Sequence, residues 1–313
     1  MIWANLLHLS FNMWEDRDEP SLVGKEYGTA RWYRPFLTFD EELWRKLTER
    51  MSEAGLNMVV IDLGDGVKYE SHPEIAVENA WSTAKLCNEL DRLRDLELEP
   101  IPKLNFATTH DAWMGPYARQ VSTPPYYEVC RDLIEEAIEL FGNPRYFHLG
   151  MDEETAEHQR FYSLAVMRQH ELWWHDFHFF CDEVGRQGSR PWVWSDHVWR
   201  HRDEYLQQVP RDVMQSNWYY GESFAEDETA VAAYATLETA GYDQIPTGSN
   251  HSNPGNFERT VEYCSSRIAP DRLAGFLQTP WRPTTDEYAE RHIEAIDLVA
   301  EVIKKYPREE EQS

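Results

Sequence analysis

At 313 residues, 42% of them hydrophobic, the chain is long enough for one large domain or two small ones and apolar enough to build a sizeable core. Fifty-six acidic residues against 30 basic ones leave a net charge of −26, which speaks against nucleic acid or an anionic membrane as partner, since binding phosphates needs a basic face. No apolar run approaches the roughly 20 residues that cross a bilayer. The first residues, MIWANLLHLSFNMW, have neither a basic n-region nor a small-residue cleavage site, so the chain reads as cytoplasmic. Cys87, Cys130, Cys181 and Cys264 are far apart and lack metal-ligand spacing, as expected of reduced thiols in helices.

Apolar runs alternate with amphipathic stretches along the chain. Strands are expected at residues 2–10, 57–63, 99–106, 145–150, 190–196, 212–218, 243–249 and 273–281. Helices are expected between them. The first spans 39–55, with Asp40 as N-cap and Gly55 at its end; the next two cover 83–98 and 125–142. A long helix is expected over 157–188, with shorter ones starting near His201, Asp227 and Pro254. The last spans 284–306 and closes on Lys304 and Lys305, which suit the helix dipole. Strict alternation, eight times over, predicts parallel strands with crossover helices: an α/β chain folded as a single (β/α)₈ (TIM) barrel over 1–306, with a disordered tail at 307–313. An open doubly wound sheet is disfavoured, because no glycine-rich phosphate turn follows the first strand.

In such barrels the site lies at the C-terminal strand ends. Those ends carry Asn12 and Trp14, Asp62 and Asp65, Lys103 and Asn105, Trp194 and Asp196, Trp218 with Tyr219 and Tyr220, and Trp281. Only seven lysines occur in the chain, so Lys103 within an apolar strand stands out. A rim of carboxylates beside tryptophans suits glycoside cleavage, in which an acid protonates the leaving oxygen and a second group stabilises the oxocarbenium-like transition state. The strongest segment is HLGMDEE at 148–154. Neighbouring strand residues point to opposite faces, so Asp152 and Glu153 share the pocket only if the chain turns there, as Gly150 allows. A helix N-terminus, which favours acidic residues anyway, is the competing explanation.

HLGMDEE resembles the strand-four segment of family 20 glycoside hydrolases, the β-N-acetylhexosaminidases, where His-x-Gly-x-Asp-Glu stands. In register with it, NMVVIDLGDG resembles the second strand, with the family acid on Asp65, and IPKLNFATTHDAW the third, with its histidine on His110. VMQSNW and FLQTPW resemble strands six and eight, ending on Trp218 and Trp281, and Trp194 matches the fifth-strand aromatic. The resemblance implies Glu153 as general acid/base. It implies that Asp152 holds the 2-acetamido group whose carbonyl oxygen attacks the anomeric carbon, and that an Asp65–His110–Glu153 chain orients the acid. Asn12, Trp194, Trp218, Tyr219, Trp281 and Asp196 would contact the carbohydrate, and no cofactor or metal is implied.

The sequence also departs from the family. The arginine at the end of strand one is replaced near Asn12, and the strand-three carboxylates are Lys103 and Asn105. The strand-seven Tyr-x-Asp element has no counterpart, leaving Tyr219 or Tyr220 to stand in, and the glutamate two residues after Trp281 is Pro283. Three alternatives stay open. One is a glycosidase on a sugar without an acetamido group, using Asp65, Asp196 or Glu222 as second carboxylate. Another is a non-catalytic carbohydrate-binding barrel. The last is a metal-dependent sugar isomerase or lyase drawing on His148, His110 or His251, although no pair of candidates has helix ligand spacing.

Overall fold

The computed structural model describes residues 1–17, 30–160 and 162–306; the tail expected at 307–313 lies outside them. Eight barrel strands run in chain order: β1 Ile2–His8, β2 Met58–Asp62, β3 Glu99–Lys103, β4 Tyr146–His148, β5 Arg190–Trp194, β6 Met214–Ser216, β7 Thr247–Gly248 and β8 Gly275–Gln278. All pair in parallel, in the order β6-β5-β4-β3-β2-β1-β8-β7. Parallel bridges from Gln215 to Gln244 and from Trp218 to Thr247 close β6 on β7. The result is the expected (β/α)₈ barrel.

The strands read as continuous apolar runs because both faces are covered. Ala4, Leu6, Met58, Val60, Ile101, Trp192, Met214 and Leu277 fill the interior. Trp3, Leu7, Val59, Ile61, Phe147, Val193 and Phe276 face the helical shell. That shell comprises α1 Glu41–Glu53, α2 Thr83–Asp95, α3 Pro124–Leu140, α4 Glu171–Arg186, α5 Arg202–Gln208, α6 Thr229–Thr239, α7 Asn256–Arg267 and α8 Ala289–Lys305. Asp40 caps α1 as expected, accepting from the Leu43 N–H at 2.8 Å. The four cysteines are unpaired thiols in α2, α3, α4 and α7. No helix among the described residues is long and apolar enough to cross a membrane.

One expectation fails. Of the helix expected over 157–188 only α4 forms, and the described residues between β4 and α4 are irregular. Their polar side chains are engaged elsewhere. Gln159 donates to the Thr108 carbonyl at 2.9 Å, and the Tyr162 hydroxyl donates to the carbonyls of Met13 (2.6 Å) and Thr109 (3.0 Å). Bonds to the loops after β1 and β3 outweigh local helix propensity, and the segment lies over the barrel mouth.

Candidate active site

The polar residues gather where the strands end. His8, Asp62, Lys103 and His148 are partners in register across β1–β4 and form a fully buried layer. Lys103 donates to Asp62 in a buried ion pair. Burial, and then Lys103, hold the His8 and His148 imidazoles well below their ordinary range, so both are neutral.

Above this layer the chain turns sharply. Gly150 (φ 73°), Met151 (φ 74°) and Glu153 (φ 52°) all adopt the left-handed conformation, which brings Asp152 and Glu153 to the same side. A Cβ on Gly150 would lie 2.0 Å from Asn105 Oδ1, so glycine is required on both counts. Left-handed non-glycine residues cost about 1–3 kcal/mol each and persist only where their surroundings hold them. Here the Asn105 side chain accepts from the Met151 N–H through Oδ1 (3.3 Å) and donates from Nδ2 to Asp152 Oδ1 (2.8 Å). The Glu153 N–H donates to Asp196 Oδ2 at 3.0 Å. Glu154 accepts from Trp173 Nε1 (2.9 Å), Thr108 Oγ1 (3.0 Å) and the buried Arg168 (2.8 Å), which also pairs with Asp176 at 2.9 Å.

His110, buried in the loop after β3, bridges the two acids. Its Nδ1 lies 3.2 Å from Asp152 Oδ1 and its Nε2 3.5 Å from Glu153 Oε2, with Trp14 edge-on at 4.6 Å. Burial alone would lower the imidazole, but Asp152 and then Glu153 outweigh it and push it up to about 10. Burial likewise opposes ionisation of Asp152, yet His110, Lys103 and Asn105 hold that carboxyl well below its usual range. The pair is therefore imidazolium and carboxylate at neutral pH. His110, Asp152 and Glu153 are the group of possible metal ligands among the described residues. A metal, however, needs a ring lone pair, whereas here each ring nitrogen faces a different carboxylate, the geometry of a proton-bridged triad.

The chain of Asp65, His110 and Glu153 implied by the resemblance is not what forms. Asp65 is fully buried, accepting from Ser10 Oγ at 2.5 Å and Asn12 Nδ2 at 3.0 Å, and burial raises it to about 7. Asn12, expected to grip substrate, is spent on the same bracket and on the Arg34 backbone, at 2.7 and 2.8 Å. The reason is adjacency. Asp152 already turns inward beside Glu153 and takes the second imidazole nitrogen, so Asp65 is left to the end of β1.

On the β5–β8 side the rim is aromatic. Tyr220 stacks on Trp218 at 5.0 Å, and its hydroxyl accepts from Trp281 Nε1 at 2.9 Å. Trp218 Nε1 reaches Asp196 Oδ1 at 3.4 Å. Trp194 lies deeper than expected, buried against His148 (4.3 Å) and Trp281 (5.9 Å), as a floor rather than a wall. Tyr219 packs edge-on against Phe224 at 5.3 Å, away from this cluster; its neighbour Tyr220 takes the place expected for it. Burial first, and then Asp152, push the Asp196 carboxyl above its ordinary range.

A cavity of about 300 Å³ opens beside Glu153, lined by Trp14, Glu15, Thr109, His110 and His158 among others. Sequence reasoning missed His158, whose Nε2 lies 3.5 Å from Glu153 Oε1, because the expected helix assigned it to a different environment. A larger cavity, about 720 Å³, lies at the opposite end of the barrel, but its Arg145, Arg186 and Arg190 each have a carboxylate partner.

No family model matches the chain, and no curated protein matches it by sequence. Solved structures do. The family 20 exo-β-N-acetylglucosaminidase of Vibrio harveyi superposes with a TM-score of 0.63 at 14% identity, covering 95% of this chain and 54% of that one. The β-N-acetylhexosaminidase of Bacteroides fragilis gives 0.62 at 11%, covering 95% and 65%. Dispersin B gives 0.58 at 12%, covering 95% and 98%. The chain thus spans between half and two thirds of the first two and nearly all of the third. At such identities the likeness establishes the fold, a (β/α)₈ barrel of the kind these hydrolases carry.

Proposed function

We propose that the protein is a retaining glycoside hydrolase of the β-N-acetylhexosaminidase type. The observation that carries this reading is the left-handed turn at the mouth of the barrel, which sets Asp152 and Glu153 side by side with His110 between them. The resemblance to family 20 supplies their roles, and the superposed hexosaminidase barrels support it.

In this scheme Glu153 gives its proton to the glycosidic oxygen as the bond to the anomeric carbon breaks. The substrate's acetamido carbonyl oxygen forms the new bond to that carbon, giving a cyclic oxazolinium ion. Asp152 is bound by Asn105 and His110 through Oδ1, so Oδ2 is the oxygen left to accept the acetamido N–H. As a carboxylate it also balances the positive charge that grows on the ring. Glu153 then takes a proton from water as the water oxygen opens the oxazolinium. Trp218, Tyr220 and Trp281 offer flat faces to the apolar C–H side of the sugar.

The second reading, a glycosidase acting without an acetamido group, needs another ionised carboxylate at the mouth. Asp65 is enclosed, and Glu222 is exposed on a loop. Asp196 is in place, but burial and the neighbouring Asp152 disfavour the ionised form that a nucleophile needs. The test is a screen of chromogenic β-glycosides with and without the 2-acetamido group, using the wild type, Glu153→Gln and Asp152→Asn. Cleavage of the acetamido substrates that both substitutions abolish is the expected result. Activity surviving both substitutions refutes the catalytic assignment, and cleavage of only the non-acetylated glycosides transfers the case to Asp196.

A further inference from the structure

Glu153 does not face one imidazole but two. His110 Nε2 stands 3.5 Å from Oε2, and His158 Nε2 stands 3.5 Å from Oε1. Both contacts are long, as hydrogen bonds at unliganded sites often are before a ligand tightens them. His158 reaches this position because the chain after Glu153 folds back on itself. The Thr155 N–H donates to the Glu153 carbonyl at 2.7 Å, and the His158 N–H donates to the Thr155 carbonyl at 3.2 Å. The Thr155 hydroxyl completes the arrangement. Its oxygen accepts from the His158 N–H at 3.4 Å, and its own proton is then free to be donated to His158 Nδ1, 2.8 Å away. With Nδ1 accepting, the neutral ring carries its proton on Nε2, pointed at Glu153.

We propose that His158 is a second positioning residue for Glu153, set in the Nε2–H tautomer by Thr155 and holding the carboxylate oxygen that His110 leaves free. Its kinetic role rests on the reading of Glu153 as general acid/base; the contact itself does not. The Glu153 side chain is 25% exposed, so one imidazole alone leaves Oε1 open to the cavity and the carboxyl free to rotate. Two N–H donors on opposite oxygens fix the carboxyl plane and stabilise the carboxylate as its proton departs. The other charged groups lining that cavity are Glu15, Arg31, Glu157 and Arg160.

The test has two arms on the full chain. In the first, ring-nitrogen NMR of ¹⁵N-histidine-labelled protein at alkaline pH follows His158 in the wild type, Glu153→Gln and Thr155→Val, assigned with His158→Gln. The expected result is an Nε2–H tautomer whose resonance moves in Glu153→Gln and which loses ground to Nδ1–H in Thr155→Val. A dominant Nδ1–H form, or a resonance indifferent to Glu153→Gln, overturns the proposal. In the second, aryl 2-acetamido glycosides with poor and good leaving groups are compared. His158→Leu should lower kcat on the poor leaving group on the order of tenfold, with KM nearly unchanged. The good leaving group, which needs little protonation, should lose under about twofold, and His158→Gln, which keeps an N–H, should recover most of the loss. Equal losses on both substrates would mark a merely structural residue and refute the role. If the wild type cleaves no glycoside, the acid/base reading falls while the NMR arm still decides the contact.

Discussion

On the β1–β4 side, the barrel mouth is built from charges that other loops hold in place. Asp152 is fixed by Asn105 and His110, and Glu154 by Arg168 and Trp173. On the β5–β8 side it is built from rings, Trp194, Trp218, Tyr220 and Trp281, with Asp196 as the carboxyl among them. Under the proposed function, the contrast separates two tasks on one scaffold. Proton transfer needs groups held within tenths of an ångström, which charge-assisted bonds achieve at the cost of burying ions. Holding a sugar ring needs broad flat contact, which aromatic packing supplies without that cost.

The sharpest way to break this comparison is kinetic. Glu153→Gln should lower kcat/KM by about 10²–10⁴-fold, the usual worth of a general acid; a loss below tenfold in steady-state assays would mean that the charged side does not carry the chemistry. Next in size is Arg168→Met, which leaves Glu154 and Asp176 buried without their cation. It should cost about 3–5 kcal/mol in denaturant unfolding, the penalty for breaking a buried pair from one side. A smaller effect concerns Asp65 and pH. The folded state keeps this proton up to about 7 while the unfolded carboxyl releases it near 3.8, so its stabilisation is complete below about 4 and is lost as pH rises to about 7, with no further change above. Wild-type stability relative to Asp65→Asn should therefore fall across that window by a few kcal/mol at most and then level off; a difference that rises with pH would contradict the burial of Asp65. The smallest effect belongs to the aromatic side. Tyr220→Phe leaves Trp281 Nε1 without its acceptor and should cost about 1 kcal/mol of stability. Its kcat/KM should fall far less than that of Glu153→Gln, and a comparable collapse would erase the distinction between the two sides.

Much of this was legible in advance. Strands apolar on both faces and alternating with amphipathic helices leave a barrel or an open doubly wound sheet, and the lack of a glycine-rich phosphate turn after the first strand favours the barrel. The inward turn of Asp152 and Glu153 was legible because it is local: it depends on Gly150 and on neighbours in the chain. The neighbours across the mouth were not. That His110 pairs with Asp152 rather than Asp65, that Tyr220 rather than Tyr219 joins the aromatic cluster, and that residues after Glu153 form a covering loop carrying His158 all depend on loops far apart in sequence. Hydrophobic periodicity records which face a residue presents to the core. It holds no record of which distant loop will offer a hydrogen bond, and that choice is made only when the strands close and bring their ends together.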